Sequence, residues 1–414
     1  MIKKTFLFPG QGAQYVGMGK KLCEKYDIVK KTFDEADEAL GFSLSDLCFN
    51  GDIVELTKTQ NAQPAILTVS VAMFRVLLEK NIIPDMMVGH SLGEISALTC
   101  ADALPFADAV CLARKRGELM QEAVPQGEGA MAAIMTRDID MLKQLCEEFS
   151  SQGKGIVSIA NYNSHTQQVI SGNANAVNNV VEKLKQDNIQ TKLLNVSGPF
   201  HCMLMKPAAD KFREVLASCN FNELKYPILA NVTAMPYAGV SDIKDNLTAQ
   251  IFNPVRWTES MTYLKKYMTS YCVEVGPGRV LKNMMKTNVS DIPVYAFDTE
   301  EDKLYECVEN SFIPFVSRAM GIAVATKNTN WDDDLYRSGV IEPYNEMKAL
   351  QFNIENEGRK ATEDEMKETI KLLLKIFATK GTPIEEQKNR LEELFADSGQ
   401  QVFFKNFDMN SITV

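Results

Sequence analysis

The stretch VGHSLGEISALTCADAL at residues 88–104 sets Ser91 between Gly89 and Gly93, where an apolar run gives way to helical periodicity. In a G-x-S-x-G pattern the glycines permit a tight strand-to-helix turn that holds the serine oxygen in the open. The N–H groups that follow then face an incoming carbonyl oxygen. Such a serine is a nucleophile for acyl transfer. The competing reading is a turn of small residues, because three fixed positions in five recur by chance. The strand-turn-helix context that the chemistry requires is present in the sequence.

A nucleophilic serine needs a base, and the chain has three histidines. His90 neighbours Ser91 in sequence, so the two side chains diverge and His90 reads as a wall of the site. His165, in NYNSHTQQ, falls in a polar loop and reads as a solvated turn residue. His201, in SGPFHCMLMKPAADKF, follows a Gly-Pro turn and opens a helix, a place from which a side chain can be aimed into a cleft. By elimination His201 is the candidate base; a satisfied core histidine is the alternative.

The elements that must position these groups alternate as in an α/β protein. TFLFPG reads as a buried strand entering a glycine-rich loop, followed by helical periodicity over 18–40 and 63–78. DMMVGHS is the next strand, and LGEISALTCADAL and ADAVCLARKRGELMQEA are two helices. From Gly129 to Val196 shorter units follow in the order β-α-β-β-α-β, the pattern of a ferredoxin-like subdomain. The larger domain resumes with FHCMLMKPAADKFREVLA and closes with YCVEVGPG, RVLKNMMK and VYAF. The expected division is a core of 1–128 and 197–300, a subdomain of 129–196 and an extension of 301–414. That extension holds 14 Lys+Arg against 21 Asp+Glu, net −7 of the chain's −10. Its helical repeat at Met366, Ile370, Leu373, Leu374 and Phe377 marks it as folded and mainly helical.

Composition excludes several classes. A net charge of −10 lacks the basic face that nucleic acid requires, and an acidic protein partner would need a local basic patch. Nine cysteines with no C-x-x-C pair and no Cys/His cluster at zinc spacing read as reduced thiols in a cytoplasm, so neither a metal nor a cofactor is expected. The start, MIKKTFLFPGQG, breaks at Pro9 too early for a signal peptide, and no later run approaches a membrane span. A cytoplasmic monomer is expected.

Taken together, FLFPGQGAQYVGMG, GHSLGE, RGELMQEAVPQGEGAMAAI, ANYNSHTQQVISG, FHCMLMKPAADKF, NPVRWTESM and VEVGPGRVL resemble the malonyl-CoA:acyl carrier protein transacylases, including polyketide synthase acyltransferases. The resemblance is collinear over about residues 3–298 and leaves the tail outside. It implies an α/β-hydrolase-like core carrying the ferredoxin-like subdomain, with the active site between them. Ser91 would attack the thioester of malonyl-CoA while His201 takes its proton, and the phosphopantetheine thiol of an acyl carrier protein would collect the malonyl group.

The resemblance also assigns the surrounding groups. Backbone N–H groups of Gln11 and Leu92 would form the oxyanion hole, and Gly10 and Gly12 fit a backbone that must approach an oxyanion closely. A main-chain carbonyl near Gln250 would orient His201 in place of a carboxylate. Asn161 and Asn163 match the polar stretch beside the site; as residues alone they read as turn formers. Arg116 would grip the malonyl carboxylate, although within LARKRGEL it otherwise reads as a surface charge. Phe200, an aromatic before the base, would fill the volume of an α-methyl group, so methylmalonyl should be poorly used. His165 stands where relatives often have proline. A free-standing enzyme serving a polyketide synthase in trans is favoured over a fatty-acid enzyme. An editing hydrolase on the same fold, which typically lacks the arginine, and a general esterase fit less well; the acidic tail also admits a docking or scaffold protein.

Overall fold

A computed structural model describes residues 2–151, 153, 155–401, 403–405 and 407. Residues 408–414 of the expected extension lie outside the described residues. Among the described residues nine strands run in chain order: β1 (Lys4–Phe8), β2 (Met86–Gly89), β3 (Gly129–Ile134), β4 (Val157–Ser164), β5 (Gln167–Asn173), β6 (Thr191–Leu193), β7 (Ile228–Leu229), β8 (Tyr271–Glu274) and β9 (Val294–Ala296). The chain divides into two compact units, Met1–Leu304 and Tyr305–Val414.

The first unit holds two sheets. One is wholly parallel, in the order β7-β2-β1-β8-β9. Its central strands are buried on both faces, as their unbroken apolar runs require: Phe6, Leu7 and Phe8 have no exposed surface, and all four residues of β2 and of β8 are buried. The helix Thr59–Glu79 is long and apolar enough to cross a membrane, but 89% of that stretch is buried inside the protein, where it packs against the helix Phe106–Glu122. The other sheet is antiparallel in the order β4-β5-β3-β6, with the helices Ile139–Ser151 and Ala174–Gln186 on it, which is the ferredoxin-like arrangement. Val255 ties the two parts together: its N–H donates to Ala160 O and its carbonyl accepts from Tyr162 N–H.

Local differences from the expected elements have physical causes. The periodicity over 18–40 is two helices, Lys20–Lys25 and Asp27–Leu40, because Tyr26 is extended and its N–H closes the first helix on Leu22 O. His201 does not open a helix. A 3-10 turn begins at Met203 and the α-helix only at Lys206, since Pro207 is tolerated in a helix's first turn and not further in. Asn161 and Asn163 lie within β4, not in a turn, and register shifts flank them at Ile159/Asn161 and Tyr162/Ser164. Such bulges re-aim side chains.

The second unit is helical: Phe315–Ala325, Asp333–Tyr336, Glu342–Asn356, Glu363–Lys380 and Ile384–Asp397. The helix over 363–380 starts on a capping box, Thr362 with Glu365, and stops at Gly381 in the left-handed conformation. Met366, Ile370, Leu373, Leu374 and Phe377 are all buried in a core shared with Phe315 and Phe395. The unit therefore has an apolar interior of its own.

Candidate active site

The site lies at the carboxyl ends of β1 and β2, where parallel sheets present their ligands. Ser91 sits between β2 and the helix Leu92–Cys100 with φ 53° and ψ −108°, a strained conformation for a residue with a side chain. The flanking glycines make this turn possible. A Cβ on Gly89 would stand 1.9 Å from the Gly93 carbonyl carbon, and one on Gly93 would stand 2.0 Å from Phe8 O. Asn231 pins the turn on both sides of His90: its Oδ1 accepts from Ser91 N–H at 2.7 Å and its Nδ2 donates to Gly89 O at 2.6 Å.

His201, in the left-handed region at φ 60°, places Nε2 2.8 Å from Ser91 Oγ. Its Nδ1 is 2.8 Å from the Gln250 carbonyl, which can only accept. The proton therefore sits on Nδ1, Nε2 carries a lone pair, and Ser91 donates to it. Burial, with the Arg116 cation beside it, pushes the His201 imidazole down to about 3. At neutral pH it is an unprotonated base.

Arg116 is not a surface charge. It is 1% exposed, whereas in the same run Lys115 is exposed and Arg114 is half-buried. The helix Phe106–Glu122 turns it inward, where NH1 donates to Gln63 Oε1 at 2.8 Å. NH2 donates to Gln250 Oε1 at 2.7 Å and to Ser91 Oγ at 3.2 Å. Its Nε finds no partner among the described residues. Burial lowers its pKa to about 10, against the pull of Glu94, so it remains a cation at neutral pH.

A cavity of about 400 Å³ joins these groups, lined by Gly10, Gln11, Gly12, Ser91, Leu92, Arg116, Asn161, Asn163, Phe200 and His201. Leu92 is the first residue of its helix, where a backbone N–H has no carbonyl one turn back to bond. His90 is a wall residue: Nε2 donates to Asn163 Oδ1 at 3.0 Å, its ring tilts against Trp257, and burial lowers its pKa. Phe200 is 6% exposed and closes one side. His165 is exposed at the β4–β5 turn and does not join the site. No group of three or more His, Cys, Asp or Glu among the described residues is arranged to hold a metal.

The acyl transferase domain model matches residues 5–303. The chain belongs to the acyl transferase domain family. Among relatives, this acyl transferase is 48% identical over 287 residues to a malonyl CoA-acyl carrier protein transacylase of Bacillus subtilis strain 168, covering 69% of this chain and 90% of the relative. A second relative so described, also from Bacillus subtilis, is 37% identical over 392 residues, covering 92% of this chain and 98% of its own. That alignment reaches into the second unit, so likeness extends past the expected limit near residue 298. A solved structure of a type II PKS acyl-carrier protein in complex with its malonyl-transacylase superposes with a TM-score of 0.72 at 40% identity, over 74% of this chain and 99% of that one.

Three buried residues of this acyl transferase site escaped sequence reasoning: Asn231, Glu94 and Gln63. Glu94 left a signal, being the one charge in the otherwise uncharged helix LGEISALTC. Asn231, in LANVTAM, left none, since its role depends on a long-range meeting with the Ser91 turn.

Proposed function

We propose that the protein transfers a malonyl group from malonyl-CoA, through a Ser91 ester, to the phosphopantetheine thiol of an acyl carrier protein. The observation that carries this reading is the buried Arg116 cation, whose NH2 touches the nucleophile oxygen itself. A charge held there serves an acyl group whose carboxylate carbon is separated from the reacting carbon by a single methylene, and it finds no partner in a neutral one.

In the proposed cycle His201 Nε2 takes the Ser91 proton as Oγ attacks the thioester carbon. The Gln11 and Leu92 N–H groups receive the oxyanion, and His201 returns the proton to the departing thiol of CoA. The carrier's thiol then gives its proton to His201 and attacks the malonyl ester; the ester C–O bond breaks, and His201 Nε2 passes that proton to the departing Ser91 Oγ. Gln250 O accepts from Nδ1 throughout and stabilises the imidazolium without adding a buried charge. Asn161, Asn163 and His90 would line the path of the substrate.

In this reading the core of 1–128 and 197–300 and the 129–196 subdomain form the site, and 301–414 is an accessory extension. A carrier of a polyketide synthase, met in trans, is the partner we favour, supported by the buried Phe200 beside the base and by the likeness to a malonyl-transacylase solved with a type II PKS acyl-carrier protein. Arg116 also argues for a transferase over an editing hydrolase. The test is transfer from malonyl-CoA to purified holo-carriers of polyketide and fatty-acid type, read by intact mass of the carrier. Faster malonylation of the polyketide carrier is expected; a preference for the fatty-acid carrier would overturn the choice of pathway, and no malonylation of either would overturn the function.

A further inference from the structure

Gln250 has two tasks in the site. Its main-chain carbonyl holds His201, while its side-chain Oε1 accepts from Arg116 NH2 at 2.7 Å. An amide can present either its oxygen or its NH2 to a neighbour, and only the oxygen suits a guanidinium. What decides the choice is the surroundings of Nε2. It donates to Glu94 Oε2 at 2.6 Å and to Ser91 O at 2.9 Å, and Asn231 Oδ1 lies 3.4 Å away.

The shortest of these contacts is to Glu94, a side chain 1% exposed. Glu94 also accepts from Tyr237 Oη–H and from Asn231 N–H. Three donors therefore converge on it. This fits a carboxylate, which only accepts. Burial raises its pKa, while those donors and the Arg116 charge oppose the rise.

We infer that Glu94 is a positioning residue for substrate choice: by fixing the Gln250 amide with its oxygen toward Arg116, it holds the guanidinium ready for a carboxylate-bearing acyl group. This rests on the proposed role of Arg116. The partners of the Glu94 carboxylate are Asn231, Tyr237 and Gln250, so its effect reaches the substrate through Gln250 and then Arg116. Reversing the amide would set an NH2 against the guanidinium and an oxygen against Glu94, so the carboxyl group and the cation favour the same orientation from opposite ends.

The test compares malonyl and acetyl loading on Ser91 in the full chain, each resolved into kcat and KM by intact mass over time. Glu94→Met keeps the volume and removes the acceptor. The malonyl-to-acetyl ratio of kcat/KM should fall roughly ten- to hundredfold, the loss expected for a charge-assisted hydrogen bond, with acetyl loading little changed. Glu94→Gln retains an acceptor oxygen and should keep most of the ratio. Where Glu94→Met does not fold, Glu94→Asp carries the test, because its carboxylate is drawn back from Gln250 by one methylene and the ratio should again fall. An unchanged ratio in Met or Asp, equal losses for both acyl groups, or a loss in Gln as deep as in Met would overturn the inference. Arg116→Ala is measured alongside. If it lowers malonyl and acetyl loading equally, the Arg116 reading fails; if it is selective and the Glu94 variants are not, only the role of Glu94 fails.

Discussion

At the scale of single residues the site is tuned by burial. His201 has a pKa pushed down to about 3 from the usual 6.5, so it stays neutral and basic well into acid. The kcat/KM of malonyl loading should therefore show no fall centred near 6.5 and should hold from pH 7 to 5; a limb at 6.5 would show that the base is exposed to water or is another group. The sign for stability follows. The unfolded chain takes the proton more readily than the folded one, so stability is intact above 6.5 and is lost as pH falls towards 3. Arg116→Ala should reduce malonyl loading by roughly ten- to a hundredfold or more while sparing acetyl, since a buried charge-assisted contact is lost by one substrate alone. Equal losses would assign Arg116 to the fold. Ser91 was legible in the sequence because it rests on a local pattern; His201 was reached by elimination among three histidines, and the helix expected to open at it begins only with the 3-10 turn at Met203. Arg116 was not legible as a residue. Nothing in a basic run tells which member faces inward, and the resemblance supplied what spacing could not.

At the scale of elements, function depends on how tightly β1, β2 and the helix Leu92–Cys100 close on one another. The Gly89 and Gly93 contacts of 1.9 and 2.0 Å leave no room for a methyl group against backbone. Gly93→Ala should lower stability by about 1–3 kcal/mol or more and suppress loading, because the obstructing atom is a carbonyl and cannot rotate away. A thermal melt with loading read on the same sample checks both; wild-type values in each would contradict the geometry. The helix over 363–380 was legible, since the apolar repeat at Met366, Ile370, Leu373, Leu374 and Phe377, the Thr362 cap and the Gly381 stop agree there. The bulges around Asn161 and Asn163 were not, because a register shift is set by the partner strand and by Val255, far along the chain. The Asn231 bridge across the nucleophile turn was hidden for the same reason. It joins groups 140 residues apart.

At the scale of the whole molecule, each of the two units has its own interior. A chain ending at residue 304 should fold and load malonate on itself, with transfer to its own carrier the step that suffers; failure to fold would make 305–414 part of the catalytic core. The central claim is a covalent one: Ser91 carries the acyl group between two thiols. Intact mass after mixing the full chain with malonyl-CoA tests it most directly, with peptide mapping to locate the adduct. One malonyl group on Ser91 that disappears on addition of a holo-carrier protein is the predicted result, with none in Ser91→Ala. An adduct that persists in Ser91→Ala, or a wild-type chain that never gains mass, would contradict it.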